Sequence, residues 1–395
     1  MALALLAAVV TPFIPYDISA KIGADAVDNI LGILASSMLA VTTFSLTAMV
    51  SAFSGANSTI TPRATQLLVE DSTAQNALST FLGAFLFSIV GICALSTGIY
   101  GTSGRVILFV GTILVIAIIV VTLLRWIEHL SSFGRVGSTI DRVEKVTAEA
   151  IQRTGYVVVT SVSETPGPSS ERSIFPDEIG YVTHIDVTAL EKVARRLDCA
   201  IDVSVLPGAF VTPVREIARM ERGDPAAEAE IRAAFTFDHH RQYDHDPRLG
   251  LVVLSEIASR ALSPGINDPG TAIAVLGSGT RAMAAFLKKI ETKRGGEATR
   301  VRLPALVIDD LLEDLFRPIA RDGANSVEVA IRLQRSLGEI AGLAPRAHGA
   351  LVRTGAEALA RCEAAMTFEA DLERVRAAYR DWATMQVRPK GASPS

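Results

Sequence analysis

Between Val106 and Val121 sixteen residues pass without a charge, and the run closes on Thr122-Leu123-Leu124 and an Arg125-Trp126 pair. At about 1.5 Å per residue, a helix from Val106 to Trp126 is roughly 30 Å long, the thickness of a hydrocarbon core. Arg125 is able to snorkel and Trp126 suits the headgroup level, so the run reads as a membrane helix ending at an interface. Beyond it the chain changes character. Of 38 basic residues only four precede Ile127 (Lys21, Arg63, Arg105, Arg125), and of 42 acidic residues only five (Asp17, Asp25, Asp28, Glu70, Asp71). A membrane part is therefore joined to a large water-facing part, which fits a mean hydropathy of +0.34. The near-balance of charge after Ile127 argues against a nucleic-acid partner, which calls for a basic surplus.

Three further apolar segments precede this run: Met1 to Ile14, Ile30 to Phe53 and Leu78 to Leu95. The first is short for a span, lacks the charged start of a signal peptide, and reads as part of a helix. Arg125, Arg135, Arg142 and Lys145 follow the last span, so the positive-inside rule places the C-terminal part and the Arg63 loop in the cytoplasm. The partner implied is a lipid bilayer. Cys93, Cys199 and Cys362 are far apart and form no CxxC pair, which agrees with a cytosolic location.

The segment from Ile30 to Phe53 is rich in hydroxyls. At 100° per residue Ser36, Ala40, Thr43, Thr47 and Ser51 fall within a stripe of about 80°. Met38, Leu39, Leu46, Met49, Val50 and Phe53 fall on the other side and read as the lipid face. Such a stripe serves either close helix packing or the lining of a water-filled path in a homo-oligomer. Ile30 to Phe53 and Leu78 to Leu95 hold no Asp, Glu, Lys or Arg, which counts against proton coupling.

The expected fold is a mainly α integral membrane protein, an α-helical transmembrane bundle followed by a cytosolic α+β part. Its divisions are a transmembrane domain over 1–126, a linking helix over 127–153, a small β domain over 154–213, a helical domain over 214–387 and a tail over 388–395. Gly180 to Ile185 and Ala200 to Val205 read as strands, with a short helix from Thr188 to Leu197. The Gly180 and Pro207 strands resemble lipoyl-type barrels in rhythm, but Lys192 on the helix is the sole lysine there, so no tethered cofactor is implied. Asp246-Pro247 and Asp268-Pro269 each read as a cap with Pro at N1.

The strings SSMLAVTTFSLTAMVSAFS from Ser36, GRVGSTIDRVE from Gly134, GYVTHID from Gly180, PGAFV from Pro207 and RALSPGINDPGTA from Arg260 resemble a bacterial family of predicted membrane proteins, domain of unknown function 2254. The resemblance spans nearly the whole chain and implies membrane helices followed by a cytosolic domain. It implies no activity for any residue.

Two further segments carry candidate chemistry. His239, His240 and His245 lie among Asp238, Asp244 and Asp246, types that bind transition metals, but Asp246 is better used as a helix cap and no ligand pair sits on an expected helix, so the segment reads as a polar connecting loop and no metal is expected. Arg260, Ser263, Pro264, Gly265, Asn267, Asp268 and Pro269 form a rigid corner, with Gly265 supplying positive φ, or else a ligand site at the following helix start. No P-loop, GxGxxG, GxSxG or zincin motif is present. The chain is thus expected to be no enzyme and to need no cofactor.

Overall fold

A computed structural model describes residues 24–59, 61–69, 72–97, 102–132, 135–153, 158–159, 172–221, 225–292 and 300–384. The apolar Met1 to Ile14 segment and the tail over 388–395 lie outside these. Contacts divide the chain into two compact units: residues 1–58 with 65–138, and residues 59–64 with 139–395.

The first unit is helical: α1 (Ala24–Thr59), α2 (Pro62–Val69, whose first residues belong to the other unit), α3 (Ser72–Ser96) and α4 (Thr102–Ser132). Ala26–Gly55, Ser72–Ser96 and Gly104–Leu130 are each long and apolar enough to cross a membrane. Their shared core is thin. Met38, Ala74, Ala77, Phe81, Ala84, Ile119 and Trp126 pack together, and Val27, Leu31 and Leu108 form a second cluster. Gly91 on α3 lets Leu31 in close, since a Cβ there would lie 2.9 Å from Leu31 Cδ1. Phe44, Val110 and Leu124 are left open on the outside, up to 67% exposed, as a lipid-facing surface requires. Two expectations are corrected. Trp126 is 2% exposed and packs into the helix core instead of standing free on the outer surface, and α4 continues past it to Ser132.

In the second unit α5 (Val136–Arg153) leads to β1 (Val158–Val159), β2 (Arg172–Ile174), β3 (Gly180–Ile185), α6 (Val187–Leu197), β4 (Ile201–Val203), β5 (Phe210–Val211), β6 (Ala218–Met220), α7 (Pro225–Ala233) and β7 (Phe235–Asp238). One sheet runs β5-β3-β7; another runs β2-β6-β4 and takes its last strand, β8 (Val301–Arg302), from far down the chain. Strand alternation explains the burial: Ile201 and Val203 point in, as do Ala218 and Met220 of β6. Both sheets and the helices α6 and α7 enclose one core, with Ile174, Val182, Leu190, Ile217, Ile231 and Phe235 at its centre. The strands thus run on to Asp238, beyond the Pro213 read from the sequence, and the interleaved helices differ from a lipoyl-type barrel.

The remaining elements are α8 (Pro247–Ala261), α9 (Pro269–Thr292), β9 (Leu306–Val307, parallel to β1), α10 (Ile308–Asp322), α11 (Val327–Leu343), a 3₁₀ turn at Pro345–Ala347, α12 (His348–Ala365) and α13 (Glu369–Ala383). They pack mostly on the next helix but one, α8 on α10, α9 on α11 and α11 on α13, with α8 also on α9. Residues Pro269–Leu287 of α9 are also apolar enough to cross a membrane, yet 56% of that window is buried, against 22–28% in the three others. That burial places α9 inside a helix bundle.

Candidate functional site

Helix α1 shows its hydroxyl stripe plainly. Within the first unit it buries Leu31, Ala35, Met38 and Ser45, with Leu34, Val41 and Met49 partly covered. These fall in a sector about 180° from the stripe at 100° per residue. Ser36, Ala40, Thr43, Thr47 and Ser51 are accordingly all exposed. Among the described residues the stripe therefore packs against no helix of its own unit, and the bulky face splits: Leu39, Leu46 and Val50 are exposed, while Met38 is buried and Met49 and Phe53 are half-buried. The hydroxyl hydrogens are spent on the helix itself. Ser36 Oγ donates to the Gly32 carbonyl at 3.1 Å, Thr43 Oγ1 to Leu39 at 2.9 Å and Thr47 Oγ1 to Thr43 at 2.9 Å. What remains is a row of oxygen lone pairs, able to accept from water or coordinate a cation.

The loop from Ser263 to Gly270 is a closed corner between α8 and α9. Ser263 Oγ donates to the Arg260 carbonyl at 2.7 Å, and Asn267 N–H to the Ser263 carbonyl at 2.9 Å. Asp268 N–H returns to the Ala261 carbonyl at 2.7 Å. Asn267, at φ 51°, takes the left-handed conformation expected of Gly265; asparagine tolerates it through local hydrogen bonding. Pro264, Gly265 and Asn267 are exposed, and Pro269 opens α9. Asp268 accepts from Thr271 N–H at 3.1 Å and from Thr271 Oγ1 at 2.6 Å. The Thr271 side chain, then its backbone, hold the Asp268 carboxyl below its usual range. The start of α9 thus carries its own anion.

The histidine-rich segment is a junction. His239 and His240 are exposed, and His240 N–H donates to Asp238. His245 lies against His184 of β3. Among the described residues no three His, Cys, Asp or Glu side chains gather as a metal-ligand set. Asp246 is 1% exposed; it accepts from Leu249 N–H at 3.1 Å as the cap of α8 and from Arg241 Nε at 2.7 Å. Burial pushes its carboxyl up despite Arg241. Gly208, at φ 91°, brings the turn after β4 against this carboxylate; a Cβ there would lie 2.6 Å from Asp246 Cγ. On the next turn of α8, Arg248 grips Asp314 at 2.6 Å and Asp310 at 3.0 Å, both on α10. Sequence reasoning missed Gly208, His184 and Arg241 as partners here. The Pro207-Gly208 turn was the one local sign of a close approach.

A family model described as "Predicted membrane protein (DUF2254)" matches residues 1–339. The chain belongs to this family. The DUF2254 match covers all three apolar helices of the first unit, the sheets and the Asp268 corner. No curated protein and no solved structure matches the chain.

Proposed function

We propose that this DUF2254 protein is a homo-oligomeric, channel- or transport-type protein of the bacterial inner membrane. In this reading α1 lines the path and the second unit assembles or gates it from the cytoplasmic side. The observation that carries the proposal is the placement of Ser36, Ala40, Thr43, Thr47 and Ser51 opposite the packed face of α1, open in the single chain. A row of hydroxyls turned to lipid gains nothing, whereas around a central axis it meets water. Arg125, Arg135, Arg142 and Lys145 support the cytoplasmic side. The segment Thr59–Ala64, between two spans, clusters with the C-terminal part and so supports the same side for both. No catalytic role is assigned to any residue, and no cofactor.

Single cysteines test this in a variant whose exposed Cys93 is replaced by serine. Leu46 is exposed in the single chain, as are Thr43 and Thr47 on the stripe. A difference in reactivity therefore reports water and not burial. Thr43→Cys and Thr47→Cys are expected to react with a membrane-impermeant thiol reagent faster than Leu46→Cys. Equal rates remove the lined path. The absence of Asp, Glu, Lys and Arg from residues 30–59 and 72–96 favours a second reading, a non-conducting anchored sensing or interaction module. That reading predicts no ion flux from liposomes carrying the purified protein.

A further inference from the structure

Four consecutive residues ahead of α8 each hold a different part of the second unit. Tyr243 Oη donates to the Arg63 carbonyl, 3.1 Å away, in the first turn of α2, and the Arg63 guanidinium pairs with Glu256 of α8. Asp244 accepts from Arg153 Nη1 at the end of α5, at 2.7 Å. His245 lies on His184 of β3, ring centroids 4.5 Å apart and planes tilted by 50°. Asp246 caps α8 and takes Arg241. Successive Cα atoms are about 3.8 Å apart, so a shift of His245 by a side chain's width carries the Tyr243 hydroxyl and the Asp244 carboxylate with it.

We propose that the His184–His245 pair is an acid-operated latch: neutral, it holds residues 243–246 and through Tyr243 the α2 N-terminus, Thr61–Ala64; doubly protonated, it releases both. The groups facing the pair leave little to neutralise a second imidazolium. From α5 comes Arg153, a further positive charge already bound to Asp244. In the same segment Asp246 is bound to Arg241 and the α8 N-terminus. Imidazole is the side chain whose ordinary titration falls between about pH 5 and 8. Burial first, then His184 and Arg153, depress the His245 imidazole, with Asp244 opposing. A folded-state value below the unfolded one, near 6.5, means that the stabilisation is complete above 6.5 and is lost as pH falls through the lower folded value. The latch is therefore closed at neutral pH and opens on the acid side. It does not depend on conduction and stands or falls apart from the lined path.

Amide hydrogen exchange on the full-length protein in nanodiscs reads the latch directly. Between about pH 7.5 and about pH 5.5, exchange at Thr61–Ala64 and at Tyr243–Asp246 is expected to rise on the order of tenfold beyond the change in intrinsic rate. His245→Phe and His184→Phe keep a ring in place without a charge and are expected to abolish that rise. Tyr243→Phe is expected to speed exchange at Thr61–Ala64 at both pH values while leaving the acid response of Asp244 to Asp246. An unchanged wild-type profile overturns the proposal, as does an acid response that persists in either phenylalanine variant. Should both histidine variants fold poorly, the wild type and Tyr243→Phe still decide: full protection of Thr61–Ala64 in Tyr243→Phe shows that the hydroxyl does not hold the start of α2.

Discussion

Replacing Asp246 by alanine removes two contacts at one buried point. The first is the cap on Leu249 N–H, worth about 1 kcal/mol. The second is the Arg241 pair. Breaking a fully buried ion pair costs about 3–5 kcal/mol, but Arg241 keeps 21% of its side chain in water, so about 1–3 kcal/mol is the appropriate share. The sum is about 2–4 kcal/mol, and at about 2–4 °C per kcal/mol for a unit of this size the midpoint should fall by roughly 5–15 °C. Asp246→Asn separates the two contributions. Asparagine keeps an oxygen for Leu249 and relieves a negative charge that burial disfavours, so its cost should stay near 1–2 kcal/mol, roughly 2–8 °C. The assay is Trp382 fluorescence during heating of the detergent-solubilised protein, in a Trp126→Phe background so that only the second unit reports. An alanine variant within about 1 °C of its parent would show that Asp246 is not a keystone of this junction. An asparagine variant as damaged as alanine would refute the assignment of cost to charge burial.

At the α8–α9 corner, Asp268→Ala should cost about 1 kcal/mol at neutral pH with membrane insertion unchanged. Because the folded-state carboxyl is held low, that difference should be present above the unfolded value near 3.9 and vanish as pH falls through the depressed one, measured by melting across pH. Equal stability with loss of a measurable function would make the corner a ligand site instead. Gly250 of α8 faces Thr147 of α5 so closely that a Cβ would overlap Thr147 Oγ1, so Gly250→Ala should destabilise by about 1–3 kcal/mol, with partial recovery on adding Thr147→Ala. Additive effects in denaturant titrations would contradict the contact.

What the sequence alone determined were the features set by near neighbours. An uncharged run of span length, Asp-Pro starts at 246 and 268, and period-two strands around Val182 and Ile201 follow from local energetics, and an element of the expected kind stands at each, with ends that shift by a few residues, as in α4. The hydroxyl stripe of α1 was legible for the same reason, being a matter of helical phase. Which face of α1 packs was not, because Met38 and Leu39 are equally apolar and only the neighbouring helices bury one and leave the other open. Tertiary structure alone decided that α9, apolar enough for a membrane, lies inside a bundle. It decided too that β8 pairs in parallel with β4 about a hundred residues earlier, since non-local pairing leaves no periodic trace in either strand. The junction at residues 243–246 belongs to the same class. His184, Gly208, Arg153 and Arg63 meet it from four distant stretches of chain, and what joins them is the geometry of the packed unit, not their spacing in sequence.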